Sequence, residues 1–128
     1  MRVLLVEDNG DFALPCRQLL AALRGVQVVQ TAASAQEACD WLRANPGGWD
    51  LVVVDLFLGQ GHGFTVLREC AGRPPLQRAV VLSAYADETA RQYARKAGAD
   101  AFFSKTNEMD ALLAYCLQLA GEVDGANR

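Results

Sequence analysis

The sequence predicts an α/β fold in which a parallel five-stranded sheet lies between two layers of helices, and three observations lead there. Apolar runs of strand length fall at residues 3–6, 51–54, 79–82 and 101–103, with a weaker one at 26–29. Segments with helical spacing of apolar residues separate them. Capping and stop residues mark where those segments begin and end.

The first, third and fourth of these runs are near-continuous rather than alternating, as in a parallel sheet buried on both faces. The first helix is predicted over 12–23, with Phe12, Cys16, Leu19, Leu20 and Leu23 on one side. Pro15 falls inside it and removes a hydrogen bond near Asp11, so a bend or a delayed start is expected. Ser34 and Glu37 form a capping box for a second helix that ends near Asn45-Pro46-Gly47-Gly48. A short third helix spans 64–70 and ends at Gly72 and Pro74-Pro75. Asp87 caps a fourth helix over 88–97 that stops at Gly98, and Asn107 caps a fifth over 108–120 that stops at Gly121. Strict alternation implies right-handed crossovers. The flavodoxin-like (βα)5 three-layer sandwich, strand order 2-1-3-4-5, is the expected solution. Residues 1–121 form the predicted domain, and 122–128 a polar tail that frays.

Composition narrows the function. The chain has 128 residues, enough for one domain, and is 52% hydrophobic, enough for a sizeable core. A net charge of -3 with scattered Lys and Arg argues against direct nucleic-acid binding. No apolar run is long enough for a signal peptide or a membrane span, so the expected location is the cytoplasm. Cys16, Cys39, Cys70 and Cys116 lack metal-ligand spacing and read as free thiols. His62, the only histidine, lies on a Gly-rich loop and reads as solvated. Trp41 and Leu42 read as packing a helix on the sheet, Trp49 as a plug before the third strand, and Arg91, Arg95 and Lys96 as a solvated helix face.

Ligands of open parallel sheets bind beyond the carboxyl ends of the strands. Glu7 and Asp8 stand there after strand one, Asp55 at the end of strand three, Ser83 of strand four and Lys105 of strand five. Bare carboxylates gathered at one point raise one another's pKa. A hard divalent cation such as magnesium resolves that repulsion with oxygen ligands. Lys105 adds a point charge for an anion, and Ser83 a hydroxyl donor. This is equipment for phosphoryl transfer, and a carboxylate can itself be the nucleophile. Asp55, on the central strand, is the natural acceptor.

Four motifs in order carry a resemblance. They are Leu4-Leu5-Val6-Glu7-Asp8-Asn9; Leu51-Val52-Val53-Val54-Asp55-Leu56-Phe57-Leu58 with Gly63-Phe64 and Val66-Leu67; Val80-Val81-Leu82-Ser83-Ala84; and Gly98-Ala99-Asp100-Ala101-Phe102-Phe103-Ser104-Lys105. Over roughly residues 2–119 the chain resembles the response-regulator receiver domains of two-component signalling. The resemblance implies that Asp55 takes a phosphoryl group from a histidine kinase or a histidine phosphotransfer protein, with Mg2+ or Mn2+ as cofactor. It implies that Asp8 and Asp55 bind the metal, with Glu7 acting through water and Phe57 giving its backbone carbonyl. Ser83 and Lys105 would meet the phosphoryl group, and Phe102 would be the aromatic that turns inward when Ser83 moves. Phe57 and Tyr85 would flank the path of the hydrolytic water. A downstream protein would read the surface of helices four and five.

Three residues depart from the family pattern. Thr106 and Gly59 stand where proline is frequent, so the Lys105 peptide need not be cis and the loop after strand three is expected to loosen. Phe102 lacks the hydroxyl of a tyrosine. Two rivals fit less well. A flavin-binding electron carrier needs a phosphate cradle after strand one, where Glu7 and Asp8 would repel the phosphate. An aspartyl phosphatase resembling this chain would carry a second Asp at the position of Phe57. The chain is therefore expected to catalyse only its own phosphorylation and slow dephosphorylation, either as a single-domain regulator or as part of a larger one. Use as an unphosphorylated docking module is the remaining alternative.

Overall fold

The computed structural model describes residues 1–126. In chain order it has β1 (Arg2–Val6), α1 (Gly10–Ala21), β2 (Gln27–Ala32), α2 (Ala35–Ala44), β3 (Leu51–Val54), α3 (Gly63–Glu69), β4 (Arg78–Ser83), α4 (Glu88–Lys96), β5 (Ala101–Ser104) and α5 (Met109–Ala126). The strands are all parallel, in the order β2-β1-β3-β4-β5. That is the predicted flavodoxin-like architecture.

Period-two alternation along buried strands divides the core into two layers. Leu4, Val6, Val52, Val54, Ala79 and Val81 face one side, where Ala38, Cys39 and Leu42 of α2, Val66 and Leu67 of α3 and Ala94 of α4 cover them. Val3, Leu5, Leu51, Val53, Val80 and Leu82 face the other, under Cys16 and Leu20 of α1 and Leu112, Cys116 and Leu119 of α5. Each fully buried Leu or Val is worth about 2 kcal/mol over leaving it in water. Trp49 is buried at the foot of β3, and Trp41 packs partly buried beside Leu42. All four cysteines are free and buried. Burial pushes the Cys16 thiol up to about 11 and those of Cys70 and Cys116 up to about 12, and it also raises Cys39.

The N-caps at Ser34 and Asp87 are realised: Ser34 Oγ accepts the Glu37 N–H, and Asp87 Oδ1 accepts the Ala90 N–H, but the Glu37 carboxylate accepts from Ala33 N–H and not from Ser34 N–H as a capping box would have it. Gly98 follows α4 at φ +103°, a left-handed conformation that favours glycine. Three expectations change. The start of α1 is not delayed by Pro15: it lies at Gly10, ahead of the proline, with Asn9 as the cap. Leu19 of that helix is 47% exposed rather than core. And α5 does not begin after an Asn107 cap or stop at Gly121. Its first bond runs from Leu112 N–H to the Glu108 carbonyl, and the helix continues to Ala126 because Val123 still packs on the sheet layer. Residues 122–126 are therefore helical where a frayed tail is predicted, and 127–128 of that tail lie outside the described residues.

Candidate functional site

Strand register brings the polar residues together. Val6 pairs with Val54, which puts Glu7 and Asp55 side by side one residue later, and Ser83 pairs with Ser104, the neighbour of Lys105. Backbone bonds fix these first steps beyond the strands: Glu7 N–H to Ala32 O, Asp55 N–H to Val6 O and Lys105 N–H to Ser83 O. Glu7, Asp55 and Ser83 are buried and Asp8 is exposed.

The Lys105 ammonium donates to Glu7 Oε1 at 2.5 Å and to Asp55 Oδ2 at 2.9 Å. One oxygen each from Glu7, Asp8 and Asp55 lies within 4.8 Å of the others. Glu7 Oε2 is buried with no hydrogen-bond partner among the described residues. Burial, reinforced by Asp55 and opposed by Lys105, pushes the Glu7 carboxyl up to about 7. Burial alone would lower the Lys105 pKa, but its bonds to Glu7 and Asp55 outweigh that and raise it.

Phe12 belongs to the site although the sequence reading assigns it only to the core: its ring lies 4.2 Å from Lys105 Nζ. Its position in the first turn of α1, beside the carboxyl rim, is the signal that could have found it. The loop after β3 is tied rather than loosened at Gly59, whose N–H donates to Asp8 Oδ2 at 2.6 Å, a bond proline could not make. Phe57 N–H donates to Asp55 Oδ1 at 3.3 Å. His62 is half-buried, not freely solvated. Its Nδ1 caps α3 by accepting the Phe64 N–H, and its ring meets those of Phe57 and Phe64.

Ser83 Oγ accepts the Tyr85 N–H at 3.2 Å. The rings of Phe57 and Tyr85 meet edge to face, centroids 4.7 Å apart, while remaining 49% and 64% exposed. Phe102 is half-buried on β5 and packs against the α2–α4 layer with Arg91 over its ring. Arg91 is therefore not part of a solvated face. It is half-buried and bonds Ala86 O, Phe102 O and Glu108. Neither Arg91 nor Glu108 is legible as a site neighbour in the sequence, because 17 positions separate them. Arg95 and Lys96 are exposed as predicted.

A family model described as the response regulator receiver domain matches residues 3–116. The chain belongs to that family. Receiver domains serve two-component signalling, and the comparisons agree with that placement. The response regulator UvrY of Escherichia coli is 27% identical over 105 residues, 82% of this chain and 47% of that protein. The receiver thus spans about half the length of the curated relatives first matched. The response regulator domain of Thermotoga maritima CheB shares the fold at TM-score 0.81 and 20% identity, over 94% of this chain and 96% of the other. A response regulator protein from Burkholderia pseudomallei, with a phosphorylated aspartic acid, calcium ion and citrate, is 30% identical at TM-score 0.75, covering 98% and 72%. No helix among the described residues is long and apolar enough to cross a membrane.

Proposed function

We propose that Asp55 accepts a phosphoryl group from a phosphohistidine on a histidine kinase or histidine phosphotransfer protein. A carboxylate oxygen of Asp55 attacks phosphorus, the P–N bond breaks, and the imidazole keeps the electron pair and takes up a proton. The observation that carries this reading is the Lys105 ammonium held between Glu7 and Asp55 on the rim of the central strand. A cation already docked against the acceptor offers an ion pair to the transferred group, and catalysis here is mostly positioning and charge neutralisation. The Burkholderia relative, with its phosphorylated aspartic acid and metal ion, supports the same reading.

The residues fit a divalent cation. Glu7, Asp8 and Asp55 supply hard oxygen donors, and the buried Glu7 Oε2, which has no hydrogen-bond partner among the described residues, could accept from a water on the cation. Asp8 and Asp55 would hold Mg2+ or Mn2+ directly, Glu7 through water, with the Phe57 carbonyl as a further ligand. When bound, the ion neutralises charge on the phosphoryl oxygens. Ser83 would donate to the phosphoryl group and draw Phe102 inward, changing the surface of α4, β5 and α5 that a downstream protein reads. The work is expected in the cytoplasm. The test is labelling by acetyl phosphate with magnesium, read by intact-protein mass spectrometry. One added phosphoryl group is expected, and its persistence in Asp55→Asn would sink the assignment.

The rings of Phe57 and Tyr85 give a second expected result. They touch at the rim; Phe57 has no group that can hydrogen-bond water, and both rings are bulky enough to crowd its approach, so the phosphoryl group should be long-lived. A Phe57→Asn, Tyr85→Glu double variant should lose it roughly fivefold faster, since holding the attacking water is a positioning effect. Decay curves after donor removal measure this. Superimposable curves would mean that the rings do not guard the water path.

A further inference from the structure

The turn that carries Lys105 is restrained by a network outside the acidic cluster. The Glu108 N–H donates to Ser104 O at 2.9 Å, and Glu108 Oε1 accepts the Ser104 N–H at 3.0 Å. Inside this ring, Ser104 Oγ accepts the N–H groups of Thr106 at 3.2 Å and Asn107 at 3.3 Å. A proline at 106 would have no N–H to give. Thr106 leaves the backbone more freedom in the unfolded chain than proline would, and the polar ring supplies the restraint instead.

Arg91 fastens this ring to α4. Its Nη2 donates to the same Glu108 Oε1 at 2.5 Å, its Nη1 to Phe102 O at 3.3 Å and its Nε to Ala86 O at 3.0 Å. Its guanidinium carbon stands 4.9 Å from the Phe102 ring centroid. One planar, multiply donating group therefore joins the loop before α4, the strand β5 and the turn that carries the lysine.

We propose that Arg91 and Glu108 are positioning residues for Lys105. Between them they set the backbone at 104–108 so that the ammonium reaches Glu7 and Asp55. This rests on Asp55 being the phosphoacceptor. Lysine carries its charge on a flexible stem, so the backbone from which it starts decides where the charge sits. Small misplacements of a charged group cost rate steeply in a reaction governed by positioning.

The experiment follows the rate of labelling by acetyl phosphate with magnesium in the parent protein, R91A, R91K, E108Q, K105A and the R91A/K105A double variant. R91A should label about tenfold more slowly than the parent. In the K105A background the same change should alter the rate by less than about twofold, because two residues acting through one group are not additive. Slowing of equal size in both backgrounds overturns the proposal, as does an unchanged rate in R91A. R91K keeps the charge pair with Glu108 but not the fork to Ala86 and Phe102. It should be about threefold slower, dependent on Lys105, and it carries the test if R91A does not fold. E108Q should fall in the same range. Amide exchange at Ser104, Thr106 and Asn107 needs no phosphoryl donor and should accelerate in R91A; amides as protected as in the parent overturn the proposal. A parent protein that takes no label, or that labels equally as Asp55→Asn, refutes the reading of Asp55 and is told apart from these outcomes.

Discussion

Gly63→Ala is expected to cost the domain about 3 kcal/mol, at the high end for forcing one extra carbon into a packed site. A Cβ at this buried position would stand 2.4 Å from the Asp55 carbonyl oxygen and 2.8 Å from Leu56 Cα. Both are backbone atoms that no rotamer change can move away. The Gly63 N–H also donates to Leu56 O at 2.8 Å, which holds the first residue of α3 against the end of β3. The chain must then give way next to Asp55. For a domain of this size the melting temperature should fall by roughly 10 °C. Gly121→Ala is the control: nothing lies within 4 Å of its would-be Cβ, it sits inside α5, and a gain of about 0.5–1 kcal/mol is expected. Chemical denaturation of the two variants measures both. Equal midpoints would show that the β3–α3 junction yields easily.

Asp8→Ala is expected to slow magnesium-dependent labelling about 100-fold, because it removes one of the charged ligands on which a weakly bound hard cation depends. Its effect on the metal-free protein should be small, from two opposing terms. Loss of one of three crowded carboxylates relieves repulsion at Glu7 and Asp55. Loss of the Asp8–Gly59 hydrogen bond removes about 1 kcal/mol and frees the β3–α3 loop. A net change within about 1 kcal/mol follows, because the freed Gly59 N–H is exposed and can bond water. Magnesium titration and thermal melts without metal separate the two effects. A large loss of stability without metal would make Asp8 mainly a structural tether.

The architecture and the acidic cluster were legible because each rests on local signals. Continuous apolar runs report burial on both faces, and a polar residue directly after such a run must lie on the rim. Glu7, Asp55 and Ser83 follow that rule, and Lys105 comes one residue later, after Ser104. The contacts that brace them do not. Arg91 meets Glu108 only through the packing of α4 on β5, so no spacing in the chain announces the pair. The extent of α5 is not legible in the sequence for the opposite reason. A local stop signal at Gly121 was overridden by tertiary packing of Val123, and a helical glycine costs only about 1 kcal/mol. Gly59 and Thr106 stand where the family often has proline. In the folded chain each contributes an N–H that a proline lacks, to Asp8 and to Ser104 respectively.

The buried cysteines have a chemical consequence of their own. Cys39 and Cys70 lie on one face of the sheet, Cys16 and Cys116 on the other. With their acidities suppressed, almost none of their sulfur is thiolate at neutral pH, the form that alkylating agents and oxidants attack. Folding thus acts on these thiols as a protecting group does in synthesis. A molecule that opens one helical layer would unmask the nucleophiles of that layer, while those of the other face stay covered until their own helices lift.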